Sequence, residues 1–126
     1  MHVVPFNAEK HYEAVETWWK RHDWPVIPIK TLPPTGFIIE EVCATWLYEL
    51  DSNIAMLEWT VANKEINFLK RSQALNTLID HVLKYAKNQG YEHVFTTANH
   101  PGFIGRLKER GFMVTDTSVT HLMARL

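Results

Sequence analysis

The sequence predicts an α/β fold, a sheet layered with helices, on three observations. Residues 54–112 read strand, long amphipathic helix, strand, short helix, glycine. Short β-branched and aromatic runs stand on either side of that stretch. Strand–helix–strand order makes a crossover between parallel neighbours, expected to be right-handed, whereas the runs before it are joined by turns short enough for antiparallel pairing. Strands mixed with crossover helices define a layered α/β domain. A chain of 126 residues, 46% apolar and 12% aromatic, suits one domain over residues 1–126 with a single core.

Taken in order, HVVPF is a first strand. Residues 9–22 form the first helix, with Tyr12, Val15, Trp18, Trp19 and His22 roughly on one side. Adjacent tryptophans diverge around a helix, so Trp19 is placed in the core stripe and Trp18 at its flank or against a pocket. The stretch DWPVIPIKTLPP holds four prolines and cannot be a regular helix or a central strand. Its Trp24, Val26, Ile27, Ile29 and Leu32 are too apolar for a disordered linker, so it should pack on the domain as an ordered loop. GFIIEEV and ATWLYEL are an antiparallel pair turning near residues 40–43, and DSN turns into IAMLEWTVAN, a mostly buried strand.

From residue 72 to 88, Leu75, Leu78, Ile79, Val82, Leu83 and Ala86 recur at helical spacing, and Gly90 ends the helix. HVFTTA is the next strand. In NHPGFIGRLKERGF, Asn99 or His100 caps, Pro101 occupies the first turn, and Gly111 stops the helix. FMVTD and THLMARL read as two final strands.

The run AKNQGYEHVFTTANHPGFIGRLKERGF resembles the second half of the GNAT acyl-CoA N-acyltransferase fold, where a helix ending A-x-x-x-G is followed by a strand, an Asn, a short helix and a terminal Gly-Phe. With its flanking strands, the resemblance covers nearly the whole chain. It implies a mixed, mostly antiparallel central sheet with one splayed parallel strand pair and flanking helices. It also implies acetyl-CoA as co-substrate. Its pantetheine would enter the gap between the ends of IAMLEWTVAN and HVFTTA, and its pyrophosphate would rest on the amides and dipole of a helix start. By position, Trp59, Thr60 and Val61 would give backbone contacts to the thioester and pantetheine. Lys70, Arg71, Ser72, Gln73, Ala74 and Leu75 would form the phosphate turn, and Asn99 would lie near the cofactor arm. The proline-rich loop would shape the acceptor site.

Two features depart from the family pattern. The phosphate turn usually reads R/Q-x-x-G-x-G/A, but here it is KRSQAL, with no glycine to let phosphate approach the backbone. Lys70, Arg71 and the Ser72 hydroxyl could contact phosphate directly, although a basic helix start with a Ser cap is also common without a ligand. Leu107 stands where many members carry a Tyr that protonates the departing CoA thiolate. Glu58, a carboxylate among apolar strand residues, is the leading candidate base, its pKa raised by burial, unless it points to solvent. Tyr48 is the second candidate, with packing as its alternative role.

Net charge of −1 lacks the basic surplus of a nucleic-acid binder. Residues 1–63 carry four Lys or Arg against nine Asp or Glu, and residues 64–126 carry nine against five. A cofactor phosphate favours the second half, and a cationic amine favours the first. Seven histidines include no HxH or HxxxH pair, which argues against a metal. Cys43, the one cysteine, cannot form an internal disulfide and fits a reducing compartment. No apolar run approaches the roughly 20 residues that span a bilayer, so a soluble, cytoplasmic protein is expected.

Two function classes follow. One is an N-acetyltransferase in which an amine on a small molecule, peptide or protein attacks the thioester directly, with strand amides stabilising the oxyanion. The other is a GNAT-fold protein without catalysis, acting as a binding module through its apolar loop and aromatics.

Overall fold

A computed structural model describes residues 1–126. Its elements run β1 (Val4–Pro5), α1 (Ala8–Arg21), a 3-10 turn (Ile29–Thr31), β2 (Thr35–Ile39), β3 (Cys43–Glu49), β4 (Ile54–Ala62), α2 (Phe68–Asn88), β5 (His93–Phe95) and α3 (Pro101–Lys108). The five strands lie in the order β1-β2-β3-β4-β5. All neighbours are antiparallel except β4 and β5, which are parallel across the α2 crossover. No helix is long and apolar enough to cross a membrane.

The period-two alternation of the strands divides the core into two layers. Ile38, Ala44, Trp46 and Val61 face α1, where Val15, Trp18 and Trp19 meet them. Phe37, Ile39, Cys43, Leu47, Ala55 and Leu57 face α2, against Ala74, Leu78, Ile79, Val82 and Ala86. Both tryptophans of α1 are therefore core residues, and Trp18 is as buried as Trp19. The sheet is broad enough to cover about 100° of helix surface, the angle between successive side chains.

Three boundaries differ from expectation. Helix α2 begins at Phe68, four residues before Ser72, because Asn67 caps it: the Asn67 side chain accepts from the Lys70 N–H at 2.9 Å. Phe68 and Leu69 are exposed, so the first turn carries no core-facing periodicity to mark it. The second crossover strand stops at Phe95. The final strands do not form: residues 113–126 have neither regular structure nor a backbone hydrogen bond, because no strand lies beside them. At α3, His100 is the cap, its Nδ1 accepting from the Phe103 N–H at 3.4 Å, and Asn99 is exposed just ahead of it.

Candidate active site

The site is built on an irregularity in β4. Ala44 pairs with Val61 and Trp46 with Glu58, so Thr45 alone opposes both Trp59 and Thr60. This is a β-bulge, and Trp59 takes the extra residue's conformation with φ at +64°, which is costly for a side-chain-bearing residue. A 2.7 Å hydrogen bond between the Thr45 and Thr60 hydroxyls ties the two strands across it. The bulge puts consecutive residues on one side. Glu58 is cross-strand from Trp46 on the α1 side, and the Trp59 indole packs on that same layer.

Strands β4 and β5 part beside the bulge. Their pairing ends at Met56 and Phe95, and the Thr96 hydroxyl then donates to the Leu57 carbonyl at 2.5 Å. Beyond that bond β4 continues to Ala62 with no partner on its β5 side. Trp59, Thr60 and Val61 thus line the open edge, with unsatisfied backbone groups facing a gap. Asn99 lies on the other limb, after β5 and before α3.

Glu58 is half-buried on the α1 side of this gap, two residues along β4 from Met56, which pairs with Tyr48 of β3 and Phe95 of β5. Burial pushes its carboxyl up to about 7. The Tyr48 hydroxyl donates to the Thr31 carbonyl at 2.7 Å and accepts from the Trp59 indole N–H at 2.9 Å. Its one proton is committed, so Tyr48 acts as a strut between the bulge and the proline-rich loop. A second strut runs from the Tyr12 hydroxyl to the Ile27 carbonyl at 2.7 Å. With Val26, Ile27 and Leu32 packed on the α1-side core, the loop is held over that face of the sheet.

The six predicted phosphate-turn residues are not placed alike. Ser72, Gln73, Ala74 and Leu75 lie inside α2, where amides are taken by the helical ladder, and Ala74 is a core residue. The unpaired amides are instead those of Asn67, Phe68 and Leu69. Arg71 donates to the Lys64 and Ile66 carbonyls at 3.2 and 3.3 Å, bracing the turn that leads into the helix. Lys70 is exposed beside it.

The Ser72 hydroxyl accepts from Arg106 at 3.3 Å. Arg106 also donates to the Ser72 carbonyl and the Asn76 side chain, docking α3 on the first turns of α2. Sequence analysis did not single out Arg106, which directly follows Gly105 and falls on the polar side of α3, where nothing in the spacing marks a partner on α2. Leu107 is buried in the α2-side core.

Two other features lie away from the gap. An open cavity of about 540 Å³ is lined by His11, Trp18, Glu40 and Asn63, among others, at the β2–β3 turn. There His11 Nε2 is 3.0 Å from Glu40. No group of three or more His, Cys, Asp or Glu side chains converges anywhere in the chain.

A splayed parallel pair, a bulge on its longer strand and a crossover helix starting beside it define the GNAT fold. Solved structures agree. The chain superposes on Rv2747 from Mycobacterium tuberculosis in complex with CoA with a TM-score of 0.72 at 14% identity, covering 95% of this chain and 76% of that one. Against an acetyltransferase from Trypanosoma brucei the TM-score is 0.67 at 10% identity, over 97% and 99% of the two chains. Against glucosamine-6-phosphate N-acetyltransferase from Arabidopsis thaliana it is 0.67 at 7% identity, over 98% of each. No protein-family model and no curated protein matches the sequence.

Proposed function

We propose that the chain is an N-acetyltransferase using acetyl-CoA as co-substrate and a small-molecule amine as acceptor. The observation that carries this reading is the unpaired edge of β4 at Trp59, Thr60 and Val61, opening toward the free amides at the start of α2. Extended pantetheine can hydrogen-bond along such an edge as a further strand would. Asn67, Phe68 and Leu69 present N–H groups and the positive dipole end to pyrophosphate, with Lys70 adding charge. The absent glycines matter less than KRSQAL suggests, since the helix starts ahead of that stretch.

Chemistry follows from the side chains around the gap. Glu58, with a carboxyl near 7, removes a proton from the ammonium group of the acceptor, directly or through water. The freed amine nitrogen attacks the thioester carbonyl, and a β4 backbone N–H stabilises the oxyanion. Collapse breaks the C–S bond, the nitrogen of the new amide gives its excess proton to water, and CoA thiolate takes a proton from water. Tyr48 positions the loop that covers the acceptor. The acidic first half of the chain, which supplies Glu58 and the loop, suits a cationic acceptor. The similarity to an enzyme named for glucosamine 6-phosphate supports a small molecule in that role. A cytoplasmic location fits the free, buried Cys43.

Calorimetric titration with acetyl-CoA, followed by thiol release with a panel of amines, tests the reading. Micromolar binding that weakens several-fold in Lys70→Ala is the expected result. Absence of binding at millimolar acetyl-CoA would sink it and leave a binding module on the same fold.

A further inference from the structure

The α1 face of the sheet is covered for only part of its length. Helix α1 and the proline-rich loop pack over Ile38, Ala44, Trp46 and Val61. Below Trp46 that cover stops. Register places Tyr48, Met56 and Phe95 in one row on the same face: Tyr48 pairs with Met56 and Met56 with Phe95, two residues down from the Trp46–Glu58 pair. Met56 and Tyr48 are half-buried yet belong to neither core cluster, and Phe95 is 47% exposed. Ile54, also exposed, extends the row by one more pair, against His93 at the solvent end. A contiguous apolar strip on an otherwise covered sheet marks a binding surface.

Glu58 closes the upper end of the strip. Its carboxyl is half-buried, and desolvation is the one influence on it, with no cation and no hydrogen bond to offset that burial. Such a group lacks the counter-charge that a buried carboxylate needs. The other polar side chains beside it are already committed, since the Tyr48 hydroxyl donates to the Thr31 carbonyl and accepts from the Trp59 indole N–H. The strip therefore offers one negative charge and a run of aromatic and thioether surface, with no free side-chain donor beside Glu58. Glu58 and Phe95 stand one strand and two residues apart, about 8 Å between Cα atoms at ordinary sheet spacings.

Resting on the acetyltransferase reading, we infer that the acceptor is an arylalkylamine, its ammonium held by Glu58 and its flat ring laid on Phe95 and Met56. A spacer of two or three carbons covers the distance between the two contacts. The ring gains stacking and sulfur contacts, and the charge gains its partner. Amino sugars and sugar phosphates fit poorly, because their hydroxyls and phosphate would lose water and find no donor. In the transfer the nitrogen gains the acetyl group, CoA leaves as the thiol, and one net proton passes through Glu58 to water.

Calorimetric titration of the free chain at pH 8 with 2-phenylethylamine, ethylamine, 2-phenylethanol and glucosamine, followed by thiol release with acetyl-CoA and the three amines, tests it. 2-Phenylethylamine should bind at least about 10-fold more tightly than each of the others, of which ethylamine lacks the ring and the alcohol lacks the charge. Phe95→Ser should raise its KM about 10-fold with little change in kcat, and Phe95→Tyr should keep the wild-type value. Glu58→Gln should remove the preference for the amine over the alcohol. Binding of 2-phenylethylamine by a chain that does not take acetyl-CoA would remove the transferase reading and leave the arylalkylamine site standing. Acetyl-CoA binding together with ethylamine or glucosamine bound as well as 2-phenylethylamine would do the reverse. No binding of 2-phenylethylamine at about 10 mM, or a preference that Phe95→Ser leaves unaltered, would also overturn the inference.

Discussion

Glu58 shows how one buried carboxyl couples activity to stability. With its carboxyl pushed up to about 7 by burial, it acts as a base only once deprotonated, so kcat/KM for acetylation should rise with pH and inflect near 7. Glu58→Gln should lower the rate by about 10²-fold and remove that inflection, measured by thiol release across pH 5.5–9. The same shift tilts stability. Between the ordinary value of 4.5 and about 7, the folded carboxyl holds a proton that the unfolded one has released, so stability falls as pH rises through that window. Glu58→Gln should match the wild type at pH 4 and exceed it by about 1 kcal/mol at pH 8 in urea unfolding, a figure discounted for the partial exposure of the group. Across the sheet from Glu58, Trp46 fixes a different residue. A Cβ on Gly36 would lie 2.6 Å from Trp46 Nε1 and 3.1 Å from Phe6 Cβ, and the fully buried indole has nowhere to move. Gly36→Ala should therefore cost about 2–3 kcal/mol, seen as a lower urea midpoint at unchanged slope.

Among elements, the proline-rich loop and the start of α2 position the site, and they differ in how legible they are. The loop's packing could be read from its apolar residues, but its anchors, the Tyr12 and Tyr48 hydroxyls, bond to carbonyls of Ile27 and Thr31 that no side-chain pattern marks. Tyr48→Phe removes the bond to Thr31 and leaves the Trp59 indole N–H without its acceptor. It should cost about 1–2 kcal/mol and raise the acceptor KM with little change in kcat, since the loop loosens while Glu58 stays in place. Helix α2 was legible from Leu75 onward because its core face is periodic there. Its start was not, because Phe68 and Leu69 face solvent and Ser72 imitates a cap. The bulge was invisible for a related reason: it contains no glycine, and Trp59 takes φ +64° where Thr45 bonds its neighbour Thr60 and the Tyr48 hydroxyl bonds its own indole. FMVTD and THLMARL have strand composition, but a strand needs a neighbour, and sequence periodicity does not show whether one lies beside it.

At the scale of the molecule, the sheet is covered on both faces, and Cys43 reports on whether that cover opens. Its side chain is fully buried on the α2 side, between Ile39 of β2 and Ala62 of β4, and desolvation pushes its thiol up to about 12. A thiol in that state is inert in the folded chain and becomes an ordinary reactive one when exposed. Helix α2 lies over it and α3 is docked on α2 through Arg106, so exposing Cys43 requires separating layers. Alkylation at pH 8 should accordingly run at least 10³-fold slower than for an unfolded-state thiol, and its slowing should match the unfolding equilibrium from urea titration. Labelling that outpaces global unfolding would instead mean that α2 and α3 lift from the sheet as a unit while the strands stay paired.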